Sequence, residues 1–138
     1  MCDQLFCRRH LSDIKGVNVC VPCQDRYRQI VSNGPVSDAD EARIVRLLTR
    51  DVASTVNARH EAAIIEVAAR LRLYVSSLEE YESRVVDDLQ QYLHDTFADT
   101  IWPRCPHHPN HPLWHSDGWW CCTHIGVRVR ALGSLGEN

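Results

Sequence analysis

Long apolar runs, a basic excess and a secretory leader are all missing from this chain of 138 residues. No stretch approaches the ~20 apolar residues that cross a bilayer, so we expect no membrane segment. The start lacks a basic segment followed by an apolar run, which predicts that the protein is not secreted and stays in a reducing compartment. The net charge of −3 lacks the excess typical of non-specific nucleic-acid binders. Nucleic acid is therefore a possible but not a favoured partner.

Glycine and proline are also absent from residues 37–101, which predicts a helical middle region. Ser37 has the character of an N-cap, because acidic side chains follow it in the first predicted turn. Apolar residues then recur at helical spacing in three successive runs. The expected fold class is therefore mainly α, with a helical segment at 36–101 between smaller modules at 1–35 and 102–138.

The length of the helix in this region is open from the sequence. Poor helix formers cluster at residues 54–57, and Ser77 with Glu80 has the spacing of a capping box, so two interruptions are plausible. A seven-residue interval instead favours one continuous helix with a coiled-coil-like seam. The seam residues are Leu71, Leu78, Val85 and Tyr92. Both a long central helix and a helical hairpin remain compatible with the pattern.

The apolar seam also bears on partners. It can be an ordinary internal core, or it can pack against another protein chain, identical or different. Small metal modules cover the apolar face of a long helix poorly, so the second interpretation predicts an oligomer or a heteromeric assembly.

The seven cysteines all fall near the two ends of the chain, together with most of the eight histidines. Thiolates and imidazoles grouped in this way are typical of zinc modules, in which the metal replaces a large core. An odd number of cysteines fits full disulfide pairing badly. We therefore expect two zinc ions, one in each terminal module.

The N-terminal module contains a Cys-x2-Cys pair formed by Cys20 and Cys23. Its partner pair includes Cys7, with either Cys2 or His10 as the fourth ligand. The spacing allows both choices.

The C-terminal module is predicted to be a β-hairpin of the zinc-ribbon kind. Asp117-Gly118 lies between aromatic residues and predicts a two-residue turn, which places Trp120 and Cys122 on one face and Cys121 on the other. This alternation favours a zinc set in which His124 can substitute for His111: Cys105, His108, His111 and Cys122. The competing set is Cys105, His108, Cys121 and His124. We expect His107 and His115 to be exposed polar residues.

The last 35 or so residues resemble small zinc-binding proteins of actinobacteria and their bacteriophages. The resemblance is carried by Trp102-Pro-x-Cys105-Pro-x-His108-x2-His111-Pro-Leu, then Trp120-x-Cys122 and Gly126. It implies Cys122 over Cys121 as the ligand. The chain departs from the pattern where Thr123 and His124 replace the proline that usually follows the cysteine. The resemblance implies that the protein comes from an actinobacterium or one of its bacteriophages, and so a cytoplasmic or virion location. It does not imply a particular activity.

Catalysis is not expected. A glycine-rich phosphate loop, a Ser-His-Asp grouping and a zincin motif are all missing from the sequence. The favoured hypothesis is a zinc-stabilised structural or assembly protein, such as a head–tail or tail-associated virion component of a bacteriophage. The alternative is a small zinc-finger regulator that binds nucleic acid or a transcription protein through its short arginine stretches and its tryptophans.

Overall fold

A computed structural model describes residues 34–56 and 59–137, together with short pieces at 12–14, 17–19 and 29. In the N-terminal part, β1 (Ser12–Ile14) pairs antiparallel with β2 (Val17–Val19). The five predicted N-terminal zinc ligands lie outside the described residues: Cys2, Cys7, His10, Cys20 and Cys23.

The first long helix, α1 (Asp38–Thr55), begins where the sequence predicts. The Ser37 hydroxyl accepts a 3.1 Å hydrogen bond from the Asp40 amide, and the Asp40 carboxylate accepts one from the Ser37 amide. This reciprocal capping box satisfies two amides that the first helical turn leaves unpaired. The helix ends when Val56 takes an extended conformation.

The middle region is broken twice into three helices, so it is neither the single long helix nor the two-helix hairpin that the sequence left open. Helix α2 (Glu61–Leu71) and helix α3 (Leu78–Asp95) follow α1. The breaks fall at both interruptions that the sequence suggests. At the second, Ser77 caps α3 by accepting a hydrogen bond from the Glu80 amide, while the Glu80 carboxylate accepts from the Ser76 amide. Local capping therefore prevails over the seven-residue repeat.

The predicted seam belongs to an internal core. Val85 is 0% exposed and Leu71 is 9% exposed, because the three helices pack against one another. Arg72 closes one end of this packing by donating to the Val36 carbonyl and to the carboxylates of Asp38 and Glu41. Of the two interpretations of the seam, burial of these residues within the single chain favours the internal core, and a partner chain stays a prediction.

A small antiparallel sheet completes the fold, in the order β3 (Trp114–Ser116), β4 (Trp119–Cys122) and β5 (Val127–Ala131). Asp117 and Gly118 both have positive φ, as the predicted two-residue hairpin turn requires. The two strands pair in the register that a two-residue turn produces, with His115 opposite Trp120. A register irregularity follows Trp120 where β4 pairs with β5. The structure is thus mixed, with three helices and a small sheet.

Helices and sheet share one hydrophobic core. Leu113, Trp120 and Leu132 from the C-terminal part belong to the same buried cluster as Leu48 and Leu89 of the helices. Within the part of the chain that the structure describes, none of the helices has the length and hydropathy needed to cross a membrane.

Candidate metal centre

The segment before β3 carries three residues of the predicted zinc set, Cys105, His108 and His111, in a tightly held loop. Cys105 and His108 lie within it, and the Cys105 amide donates to the His111 carbonyl over 3.1 Å. The His111 amide in turn donates to the His108 carbonyl over 2.9 Å. These bonds fold the loop back on itself, so that Cys105 and His108 lie on one short turn.

Helix α3 anchors both ends of this loop. The side-chain amide of Gln90 donates 3.0 Å hydrogen bonds to the carbonyls of Trp102 and Leu113. The Trp102 indole donates to the Thr55 hydroxyl over 2.8 Å and is itself buried. The loop is therefore positioned by the helices as well as by any metal.

The third candidate ligand, Cys122, lies at the end of β4, just before the turn that leads to β5. Cys122 ends β4, and the Gly126 amide donates a 2.9 Å hydrogen bond to the Cys122 carbonyl. Gly126 has φ +65°, a conformation that glycine adopts at little cost. The chain thus turns sharply after Cys122 and carries His124 in the same turn.

Three donor atoms from these two segments converge. The donor atoms of Cys105, His108 and Cys122 all lie within 4.8 Å of one another. The His108 Nδ1 is 3.3 Å from the Cys122 sulfur and 3.9 Å from the Cys105 sulfur. A tetrahedral zinc ion places its sulfur and nitrogen ligands roughly 3.5–3.8 Å apart, so these separations suit a metal. This Cys2His group can bind a metal ion, and zinc is compatible with it.

Burial and protonation also suit ligation. Cys105 and Cys122 are 1% and 2% exposed. Burial acts to raise the pKa of the Cys122 thiol, but hydrogen bonds from the Ile125 amide, the Cys105 side chain and the His124 amide together lower it. Burial lowers the pKa of His108, and neighbouring histidines lower it further. A thiolate and a neutral imidazole are the forms that zinc binds.

Two further imidazoles lie beside this group. The His124 ring centroid is 4.8 Å from that of His108 and 4.3 Å from that of His111. His111 and His124 are both exposed. His124 therefore lies next to both of the other rings, but neither His124 nor the predicted ligand His111 belongs to the group of converging donor atoms.

The remaining sequence candidates are placed elsewhere. Cys121 is only partly buried, and its thiol lies 3.7 Å from the Trp119 carbonyl. His107 is exposed, as expected. The expectation for His115 is wrong: it is 6% exposed, and its Nε2 lies 3.0 Å from Glu82 Oε1. The helix surface beneath β3 covers His115, and sequence spacing within the hairpin cannot reveal that contact.

Two buried acidic residues were missed by sequence reasoning. Glu82 pairs with His115 and with Arg43, whose Nη2 is 2.9 Å from Glu82 Oε2. Asp51 is fully buried beside Val52 of α1. In the sequence, only the position of Asp51 next to the apolar stripe of α1 indicated that its side chain is buried. A buried carboxylate needs a hydrogen-bonding partner.

Comparisons of the chain with protein-family models, with curated proteins and with solved structures find no match. The functional interpretation therefore rests on the residues and their geometry.

Proposed function

We propose that the chain is a zinc-stabilised, non-enzymatic protein that acts as a structural or assembly part. The observation that carries this proposal is the convergence of Cys105, His108 and Cys122 donor atoms within 4.8 Å of one another. Two thiolates and an imidazole are donors that zinc prefers. A structural zinc site is closed by four protein ligands, and His111 and His124 supply candidates for the fourth place.

The ion would join two segments that have little core of their own. One is the loop carrying Cys105 and His108, and the other is the turn that follows Cys122. Their cysteines are buried, but their histidines are mostly exposed, so burial does not fix the positions of the imidazoles. When bound, zinc supplies that missing link by fixing the thiolates and imidazoles of both segments in one tetrahedron.

A structural role is favoured over a catalytic one by the imidazoles of His111 and His124, which lie beside the converging group and offer a fourth protein ligand. A catalytic zinc commonly has three protein ligands and keeps one place for water, with a carboxylate base nearby. Here the converging group contains thiolates and an imidazole, and spare imidazoles lie beside it. We therefore propose that the protein is not an enzyme.

A second zinc ion is proposed for the N-terminal set, on the sequence spacing of Cys7, Cys20 and Cys23 with Cys2 or His10. That set lies outside the described residues.

The interaction surface is proposed to lie on the C-terminal module. The helical seam is an internal core, whereas Trp114, Ile125 and Val127 are 55%, 51% and 40% exposed. Exposed apolar side chains grouped on one small module are typical of a surface that meets another molecule. The role as a bacteriophage virion component, suggested by the sequence resemblance, stays a prediction.

Cobalt substitution tests the proposed centre. Replacing zinc with Co²⁺ should give thiolate-to-cobalt charge-transfer bands and the visible bands of a tetrahedral ion. In the Cys105→Ser variant the charge-transfer bands should weaken, while Cys121→Ser, as the matched control, should keep them. A wild-type spectrum that Cys105→Ser leaves unchanged would contradict a metal at this position.

A further inference from the structure

Two tryptophans and an arginine share one face of the C-terminal sheet. Trp114 pairs with Cys121, and Cys121 pairs with Arg128 on its other side. Trp119 lies two residues before Cys121 on β4, and side chains two apart on a strand share a face. Trp114, Trp119 and Arg128 are therefore on the same face.

This face points away from the helices. The opposite face presents His115 and Trp120, which are buried and bonded to Glu82 and Asp51 on the helices. Trp114, in contrast, is 55% exposed.

Arg128 and Trp119 are in direct contact on the outer face. The guanidinium carbon of Arg128 lies 5.4 Å from the Trp119 ring centroid, within the range of a cation–π interaction. The Arg128 guanidinium also forms a 3.9 Å ion pair with Asp117, but both side chains are largely exposed, at 59% and 65%, so a phosphate can compete for Arg128. The aromatic surface and the positive charge are thus combined at one place.

The charge of the C-terminal module differs from that of the whole chain. Residues 102–138 contain three arginines and two acidic residues, Asp117 and Glu137, so the module has a formal charge of +1, although the net charge of the chain is −3. The module is therefore suited to a polyanion, whereas the helical part is acidic.

We propose that this outer face binds single-stranded nucleic acid. Bases would stack on the exposed Trp114 ring, and Arg128 would contact the phosphates beside Trp119. A single strand is favoured over a duplex because only unpaired bases offer their ring faces for stacking.

Fluorescence anisotropy with a labelled thymidine oligonucleotide, about 20 nucleotides long, tests the inference on the zinc-loaded full chain. The wild type should bind in low salt and weaken as salt is raised. Trp114→Ala should weaken binding on the order of tenfold, and Trp114→Phe should restore part of it. Arg128→Ala should reduce the slope of log affinity against log salt by roughly 0.7.

Two variants serve as matched controls. Tyr74 is 56% exposed but lies between α2 and α3, so Tyr74→Ala should bind like the wild type. Arg84 is 51% exposed on α3, so Arg84→Ala should keep the wild-type salt slope. Absence of binding in low salt, or equal binding by Trp114→Ala and Tyr74→Ala, would overturn the inference. So would a Trp114-dependent dimer that fails to bind the oligonucleotide.

Zinc analysis of the same samples separates the two proposals. Zinc-loaded protein that does not bind the oligonucleotide defeats this inference and leaves the metal centre intact. Protein that carries no zinc but binds with the predicted dependence on Trp114 defeats the proposed centre and supports the binding face.

Discussion

The indole nitrogen of Trp120 donates a 2.8 Å hydrogen bond to the Asp51 carboxylate, which joins the sheet to α1. The same carboxylate accepts hydrogen bonds of 2.7 Å from the Gly133 amide and 2.8 Å from the Leu135 amide. Burial raises the pKa of Asp51, and these three hydrogen bonds oppose the rise. One buried side chain thus holds a helix, a strand and the segment after β5 together.

Replacing Asp51 should therefore destabilise the whole fold. Asp51→Ala leaves buried donors without an acceptor, which should cost about 3–5 kcal/mol of unfolding free energy. Asp88→Ala is the control, because Asp88 is exposed and its pair with Arg70 should contribute less than about 1 kcal/mol. Urea unfolding of both variants measures the difference. Similar midpoints for the two variants would show that the Asp51 bonds do not hold the sheet to the helix.

The helical seam gives a second stability prediction. Val85 is 0% exposed within the single chain, so Val85→Asp should lower the unfolding free energy by several kcal/mol. Ile65→Asp should cost much less, since Ile65 is 46% exposed on α2. Circular dichroism during thermal unfolding compares them. If the Val85→Asp protein were as stable as wild type but no longer bound a partner chain, the seam would be an interface between chains and not an internal core.

The helices show what local sequence signals can and cannot establish. Ser37 and Ser77 mark helix starts correctly, because capping depends on residues three positions apart. The seven-residue repeat wrongly favoured one continuous helix. Over short lengths, the 3.6-residue period of an ordinary packed helix gives nearly the same spacing of apolar residues. How three helices and a sheet cover one another depends on contacts between distant residues, which a repeat does not encode.

At the candidate metal centre too, the sequence predicts the local geometry but not the contacts between distant residues. The Asp117-Gly118 turn fixes the hairpin register, and side-chain alternation then places Cys122 away from Cys121. The burial of His115 could not be predicted in this way, since it depends on Glu82 of α3. The relative positions of His111 and His124 depend on loop conformations outside the paired strands.

The Glu82 network predicts a pH dependence of stability. A hydrogen bond from His115 lowers the pKa of Glu82, burial opposes this, and a hydrogen bond from Arg43 lowers it further. Because the folded pKa lies below the ordinary value of 4.5, the charged carboxylate stabilises the fold above about pH 4.5. That stabilisation should be lost as pH falls through the folded pKa.

Urea midpoints between about pH 3 and pH 7, with zinc content followed at each pH, measure this effect. Glu82→Gln should be less stable than wild type at neutral pH, and its stability should fall less steeply in acid. Glu79→Gln is a control on the exposed side of the same helix. Parallel curves for wild type and Glu82→Gln would contradict the assigned role.

The fourth ligand can be identified by a pair of histidine variants. His124 lies beside His108, with ring centroids 4.8 Å apart, so His124→Ala should weaken zinc binding more than His111→Ala. Because the two rings are 4.3 Å apart, either can partly replace the other, and the double variant should be weakest. Competition with a chromogenic chelator measures the affinities. A larger loss for His111→Ala would assign the fourth place to His111.

Zinc content of the two adjacent cysteine variants tests the central claim most directly. Cys122 lies 3.3 Å from His108 Nδ1 in the converging group, whereas Cys121 is outside it. Elemental analysis of Cys122→Ser should therefore find about one zinc ion fewer per chain than in wild type, while Cys121→Ser keeps the wild-type content. The comparison does not depend on the N-terminal cysteines, which both variants retain. Equal zinc content in the two variants, or a larger loss in Cys121→Ser, would contradict the metal centre described here.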